Sequence, residues 1–177
     1  MSQIDPLVVP ESKSPFRWIL GGMGCLGIVA VMVYALLLPV FNQVETSTQT
    51  RLCMTNLKSI GAAMILYAEE NNDKIPEKGT WMDRFLTYVD SDVNFACPVQ
   101  RRMDPRTYGY ALSKVLPGQS LSKIEEPEKK EAVFDSNRIE RNAESDLTSL
   151  PDPGRHSNGR KNTVLFLDGR TDSIGRM

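Results

Sequence analysis

The sequence predicts an α+β protein, with one long N-terminal helix packed on a small antiparallel β-sheet. Three observations support this fold class. An uncharged apolar run occupies the N-terminal part of the chain, and apolar residues then recur at helical spacing up to Tyr67. Near the C-terminus, strand-forming residues from Thr163 to Leu167 precede a turn signal at Asp168-Gly169.

Length and charge restrict the classes of function. The chain has 177 residues and a formal net charge of -1, which suits one modest domain and an anchor. The near-even charge offers neither a basic face for nucleic acid nor an acidic tail. A basic cluster at Arg101, Arg102 and Arg106 is most simply a solvated loop. We therefore expect no nucleic-acid partner.

Residues 18–41 are predicted to form a transmembrane helix, which makes the lipid bilayer the first expected partner. No charged residue occurs from Trp18 to Val44, and about 20 apolar residues suffice to cross a bilayer. Trp18 suits the membrane interface, and Pro39 marks a kink or an exit. A cleaved signal peptide would have a shorter apolar region and a small-residue cleavage site. A buried core helix would also be shorter.

The orientation of this segment follows from the Lys and Arg residues beside it. Lys13 and Arg17 precede the segment, whereas Arg51 and Lys58 follow it. Arg17 is closest, which places the N-terminus in the cytoplasm. The chain then divides into a cytoplasmic tail (1–17), a transmembrane helix (18–41) and an extracytoplasmic domain (42–177).

The extracytoplasmic domain is predicted to begin with a helix and to end with a hairpin. A stripe spaced 4, 3, 4 and 3 along the chain predicts one buried helix face that ends before the Asn71-Asn72-Asp73 cluster and Pro76. Its members are Cys53, Leu57, Ile60, Met64 and Tyr67. An amphipathic segment follows at 81–89, and short strands are expected at 108–112 and 132–134. The hairpin pairs 163–167 with 170–174 through a two-residue turn.

The cysteines leave several alternatives open. Cys25 is expected to be a small apolar residue of the transmembrane segment. Cys53 and Cys97 are a candidate disulfide pair, and closing a loop of that size would stabilise the fold by about 4 kcal/mol. Such a bond would also support an outside location, because disulfides persist in oxidising compartments. Two buried free thiols are the alternative.

Metal and catalytic sites are not predicted. Cys53, Cys97 and His156 are three zinc-type ligands, but structural zinc sites usually have compact ligand pairs. Calcium prefers six to eight oxygen ligands, and Asp152, Asp168 and Asp172 lack EF-hand spacing. His156 has no nucleophile elbow beside it and is expected to be a structural hydrogen-bonding residue. We therefore expect no enzyme, no cofactor and no metal.

The order of several short motifs resembles the bacterial pseudopilin-like proteins, which combine a prepilin-type N-terminal helix with a C-terminal processing-associated motif. That motif is a histidine, about nine residues and then Asp-Gly. Its counterpart here runs from Arg155-His156 to Asp168-Gly169, with a slightly longer spacing. The other matching elements are Cys53-x-x-Asn56-Leu57-Lys58-x-Ile60-Gly61, Tyr67, 71–73, Pro76, Cys97-Pro98 and Tyr108-Gly109-Tyr110. The resemblance implies that His156, Asp168, Gly169, Asn56 and Lys58 belong to structural motifs.

One departure from the pseudopilin pattern concerns the N-terminus. Arg17 stands where the resemblance implies a glycine before the prepilin cleavage site, and Gly22 stands where it implies a glutamate. This departure predicts an unprocessed relative that stays in the membrane without assembling into a filament. Processing of the N-terminus remains the alternative.

Two hypotheses about function follow. The first is a structural pseudopilin-like protein of the bacterial inner membrane, associated with a type II secretion or type IV pilus-like system. Its partners would be other pilin-like subunits or secretion machinery, and the glycines at 21, 22, 24 and 27 would permit close helix packing. The alternative is an unprocessed, membrane-anchored module that binds a sugar, a peptide or calcium through loops around His156 and Asp168.

Overall fold

The computed structural model describes the backbone of residues 16–175 and the side chains of residues 30–37 and 47–175. Its first helix, α1, spans Phe16–Glu70, and the chain divides into two compact units, 1–42 and 43–177. The predicted tail and most side chains of the predicted transmembrane segment lie outside the described residues. Within the described residues, no helix combines the length and the apolarity needed to cross a membrane.

In the second unit, the C-terminal part of α1 buries one stripe. Cys53, Leu57, Ile60 and Met64 are each at most 1 % exposed, which agrees with the predicted helical spacing. The helix ends at Glu70, where Asn72 and Asp73 adopt positive φ angles, so the predicted stop is also confirmed.

The sheet has five strands in the order β3-β1-β2-β4-β5. The strands are β1 (Tyr110–Ser113), β2 (Glu131–Asp135), β3 (Glu144–Ser145), β4 (Asn162–Phe166) and β5 (Thr171–Ile174). The α+β class is confirmed. The prediction of a purely antiparallel sheet is wrong, because β3 pairs with β1 in parallel at the edge and makes the sheet mixed.

Helix α1 packs on one face of this sheet. Gly61 is buried against β4, where a Cβ atom would lie 3.2 Å from the side chain of Leu165. Leu112 and Val133 belong to the same core cluster as the helix stripe. Alternate residues such as Phe134 and Val164 point to the opposite face, where Leu150 packs against them.

Two short helices cover the same core. α2 spans Trp81–Phe85 and continues into a 3₁₀ turn, and α3 spans Pro98–Met103. The rings of Phe85 and Phe95 meet Trp81 edge-on, at centroid distances of 6.0 and 5.7 Å. This aromatic cluster closes the core between α1 and the loop that carries Cys97.

The C-terminal hairpin is present with a longer loop than the predicted one. Strands β4 and β5 are antiparallel, and the amide of Phe166 donates to the carbonyl of Arg170 at 2.8 Å. Four residues, 167–170, therefore connect the strands. Gly169 takes a φ of +84°, which a glycine adopts at little cost.

Candidate functional site

Four buried side chains, one from α1 and three from other segments, converge at the buried face of α1. Cys53, Cys97, Asp135 and His156 each present one ligand-type atom, and all four atoms lie within 4.8 Å of one another. Each residue is at most 2 % exposed. We call this group the four-residue centre.

The chain positions the two cysteines by different means. Cys53 lies on the buried stripe of α1, whereas Cys97 directly precedes α3, whose first residue is Pro98. The amide of Cys97 donates to the carbonyl of Tyr108 at 2.9 Å, and Asn56 Nδ2 donates to the carbonyl of Ala96 at 3.2 Å. The Sγ atoms of Cys53 and Cys97 are thereby held 3.0 Å apart, in a hydrogen bond and without a disulfide bond between them.

Asp135 is the last residue of β2 and connects three parts of the fold. Its Oδ2 accepts hydrogen bonds from the amide and the hydroxyl of Thr163 on β4, at 2.6 and 2.8 Å. His156 Nε2 lies 3.2 Å from the same oxygen, and Arg155 Nη1 lies 3.4 Å from Oδ1. Arg155 also donates to the carbonyls of Gly109 and Ser136. A buried carboxylate with this many donors can remain charged.

A tight loop between Gly154 and Lys161 holds His156. The amide of His156 donates to the carbonyl of Lys161 at 2.8 Å, and the amide of Lys161 donates back to the carbonyl of His156 at 3.1 Å. The loop closes so tightly that a Cβ atom on Gly154 would lie 2.6 Å from the carbonyl oxygen of Lys161. These backbone contacts, with the hydrogen bond from the amide of Arg155 to Asn162 Oδ1, fix where the imidazole enters the core.

The protonation states within the centre depend on one another. Burial raises the pKa of the Asp135 carboxyl, but the hydrogen bond from His156 and the nearby positive charges keep this pKa below its usual value. Burial lowers the pKa of His156, but contacts with Asp135 and Cys97 raise it to about 9. The hydrogen bond from Cys53 lowers the pKa of Cys97 to about 6, while burial raises that of Cys53.

The geometry does not suit a catalytic triad. His156 Nε2 is the atom nearest both to Asp135, at 3.2 Å, and to Cys97 Sγ, at 3.7 Å. A proton relay needs the acid on one ring nitrogen and the nucleophile on the other. Here Nδ1 has no hydrogen-bond partner among the described residues. The buried sulfur of Cys97 also offers no access for a substrate.

The predicted motif residues occupy different places. His156 is in the centre, and Asn56 ties α1 to the segment before Cys97. Lys58 is exposed on the outer side of α1. Asp168 and Gly169 form the hairpin loop, where Asp168 Oδ1 accepts from the amide of Arg170 at 2.9 Å. The histidine and the Asp-Gly pair of one sequence motif therefore have separate surroundings.

Sequence reasoning missed two members of the site region. Asp135 follows a predicted strand, and its polar character after three apolar residues was the available signal. Tyr110 lies on β1, and its hydroxyl is fully buried without a hydrogen-bond partner among the described residues. Both side chains lie close to the two cysteines in the fold, and no spacing along the chain indicates this proximity.

The chain therefore contains an α+β domain. Its four-residue centre connects α1, the loops that carry Cys97 and His156, and the sheet. Comparison of the chain with protein families, with curated proteins and with solved structures found no match.

Proposed function

We propose that the chain is a membrane-anchored, non-enzymatic structural subunit of the pseudopilin-like class, which packs laterally against a second copy through α1. It would lie in the bacterial inner membrane with residues 42–177 outside the cytoplasm. The resemblance in motif order and the exposed surfaces of α1 support this proposal.

An exposed stripe on α1 is the observation that carries the proposal. Leu52, Thr55, Ser59, Ala62 and Leu66 follow one another at spacings of 3, 4, 3 and 4, the repeat of a helix-packing seam. Four of the five are exposed, and Ser59 is half-buried. Leu52 and Leu66 are 50 % and 45 % exposed, although the opposite stripe of the helix is fully buried. We call this set the outer stripe.

The polar members of the outer stripe do not oppose helix packing. The hydroxyl of Thr55 donates to the carbonyl of Arg51 at 3.0 Å, and that of Ser59 donates to the carbonyl of Thr55 at 3.2 Å. The hydroxyl donors of both residues are thus satisfied within the helix. Between the two leucines the stripe therefore presents small side chains, which allow a second helix to approach closely.

The described side chains of the first unit are consistent with an anchor. Residues 30–37 are all exposed, and they include large apolar side chains such as Val31, Met32 and Leu36. Contiguous exposed apolar residues indicate a surface that a membrane or a partner covers. They belong to the predicted transmembrane segment.

The burial of the four-residue centre supports a structural role. Its members are at most 2 % exposed, and the surface depressions beside Asp73 and beside Leu116 include none of them. A site of this kind can stabilise a fold, but it cannot admit a substrate without opening. We therefore favour a structural subunit over an enzyme.

Membrane fractionation and a topology reporter test the anchor. The full-length chain should stay in the membrane pellet after alkaline carbonate washing, and deletion of residues 18–41 should release it. A C-terminal reporter enzyme that is active only outside the cytoplasm should be active. Recovery of the full-length chain in the soluble fraction, or an inactive reporter on an expressed chain, would contradict the proposal.

A further inference from the structure

The four-residue centre has the composition of a metal site. Cys53 comes from α1, Cys97 from the loop before α3, Asp135 from the end of β2 and His156 from the loop before β4. Two sulfurs, an imidazole nitrogen and a carboxylate oxygen thus meet within 4.8 Å, and all four residues are buried. Buried groups of this kind need strong partners, because each loses its hydration.

We propose that Cys53, Cys97, His156 and Asp135 bind one Zn²⁺ ion as a closed structural site. Zinc takes thiolate, imidazole and carboxylate ligands in tetrahedral sites, and structural sites use four protein ligands. Two thiolates also favour zinc over magnesium or calcium, which prefer oxygen ligands. This inference goes beyond the proposed function and does not depend on it. It departs from the sequence-based expectation of no metal because the fold supplies Asp135 as a fourth ligand.

The four ligand atoms form six pairs, all within 4.8 Å, and three of the pairs are close contacts. Two of these three close contacts fit a tetrahedral zinc site. With bonds of about 2.0–2.3 Å, nitrogen and sulfur ligands lie about 3.6 Å apart, and nitrogen and oxygen ligands about 3.3 Å. The observed distances from His156 Nε2 are 3.7 Å to Cys97 Sγ and 3.2 Å to Asp135 Oδ2.

The third contact requires a small movement. Two sulfur ligands of zinc lie about 3.8 Å apart. The sulfurs of Cys53 and Cys97 are 3.0 Å apart, so they would separate by about 0.8 Å on binding.

The surroundings supply the outer contacts that a zinc site uses. Ligating carboxylates are themselves hydrogen-bonded, and Thr163 donates twice to the proposed ligand oxygen of Asp135. The Tyr110 hydroxyl is buried beside the two cysteines and has no hydrogen-bond partner among the described residues. A zinc-bound thiolate would be an acceptor for it. With Nε2 on the metal, the imidazole proton lies on Nδ1, which has no hydrogen-bond partner among the described residues.

The charges balance when zinc is bound. Zinc binds two thiolates and a neutral imidazole, so the site would contain two thiolates, one carboxylate and one divalent cation. The resulting charge of -1 is offset by Arg155, whose side chain is 5 % exposed and lies against Asp135. A buried cluster without net charge avoids most of the desolvation cost of burying ions.

A disulfide between Cys53 and Cys97 is the competing state of the same two sulfurs. It would require the Sγ atoms to approach from 3.0 Å to about 2.05 Å. It would use two of the four converging groups and would leave the Tyr110 hydroxyl facing a weak acceptor. Zinc uses all four groups, which is why we favour the metal.

Thiol counting and cobalt spectroscopy test the proposal on the full-length chain with Cys25→Ala, which leaves only the two central thiols. At harvest, thiols are trapped with an alkylating reagent in denaturant and chelator, and they are counted by intact mass without reductant. A second sample, purified anaerobically, is titrated with Co²⁺ and then with Zn²⁺. The proposal predicts two alkylated thiols, and one Co²⁺ per chain with tetrahedral d–d and thiolate charge-transfer bands. Zn²⁺ should then displace the cobalt stoichiometrically.

Substitutions distinguish residues that bind zinc directly from residues that only donate a hydrogen bond to a zinc ligand. His156→Gln should weaken zinc binding more than the roughly 10–100-fold loss expected for an outer contact, and Thr163→Val should fall within that range. Asp168→Asn, on the exposed hairpin loop, should leave affinity unchanged. If His156→Gln fails to fold, the cobalt spectrum and the cobalt stoichiometry of the Cys25→Ala chain still decide. A chain with no alkylatable thiols at harvest would overturn the proposal and establish the disulfide. Free thiols that bind neither Co²⁺ nor Zn²⁺ would also overturn it.

Discussion

Asp135→Asn should lower the free energy of unfolding by roughly 3–5 kcal/mol, the cost of removing one partner from a buried ion pair. The substitution keeps the shape of the side chain but removes its charge. Arg155 and His156 then lose their common counter-ion. The amide NH₂ faces both donors of Thr163 if it replaces Oδ2, or Arg155 if it replaces Oδ1. Chemical unfolding of the full-length chain, followed by near-ultraviolet circular dichroism, measures the change.

Glu140→Gln is the matched control for this prediction. Glu140 pairs with Arg138 at 3.3 Å, but both side chains are more than half exposed. Exposed ion pairs contribute roughly 0–1 kcal/mol, so this variant should unfold nearly as wild type does. A loss below about 1 kcal/mol for Asp135→Asn would show that the carboxylate does not hold the centre together.

Trp81→Ala should also cost roughly 3–5 kcal/mol, as expected for truncating a fully buried tryptophan. Trp81 is 0 % exposed, it meets Phe85 and Phe95 edge-on, and its Nε1 donates to the carbonyl of Ala143 at 3.0 Å. Truncation leaves a cavity beneath α2 and removes one of the two hydrogen bonds to the carbonyl of Ala143, which keeps the bond from the amide of Leu112. Unfolding curves obtained in the same way give the loss.

Leu86→Ala provides the control in the same segment, because Leu86 is 40 % exposed and has less contact area to lose. Its cost should stay below about 1 kcal/mol, as is usual for surface substitutions. Similar losses for the two variants would mean that the aromatic cluster does not form the core between α1 and the loop of Cys97.

Periodicity explains which elements could be predicted. The buried stripe of α1 repeats over four helical turns, so Cys53 to Met64 were assigned to one face without tertiary information. Strands β2 and β4 were found because their apolar residues are contiguous. Strand β3 has two residues, Glu144 and Ser145, and no apolar pattern, so nothing local distinguishes it from a loop. Its parallel pairing with β1 is therefore visible only in the structure.

The candidate site shows a different limit. The sequence suggests Cys53 and Cys97 as a possible disulfide pair, and these two with His156 as three zinc-type ligands, but their spacing predicts no compact site. Cys53 and Cys97 are 44 positions apart, and His156 lies 59 positions beyond Cys97. Only the packing of α1 on the sheet brings them together, and the same packing places Asp135 among them. The number of residues between two positions in the chain does not determine whether those positions are close in the fold.

Photo-crosslinking at Leu66 tests the central claim, that the chain is a structural subunit packed through the outer stripe. A benzophenone amino acid replaces Leu66 in the full-length chain, and Val115, which is 64 % exposed on another surface, serves as the control position. The account predicts that irradiation of membranes yields a covalent dimer of twice the chain mass from position 66 and not from position 115. A monomer at both positions, or equal dimer yields from both, would contradict it.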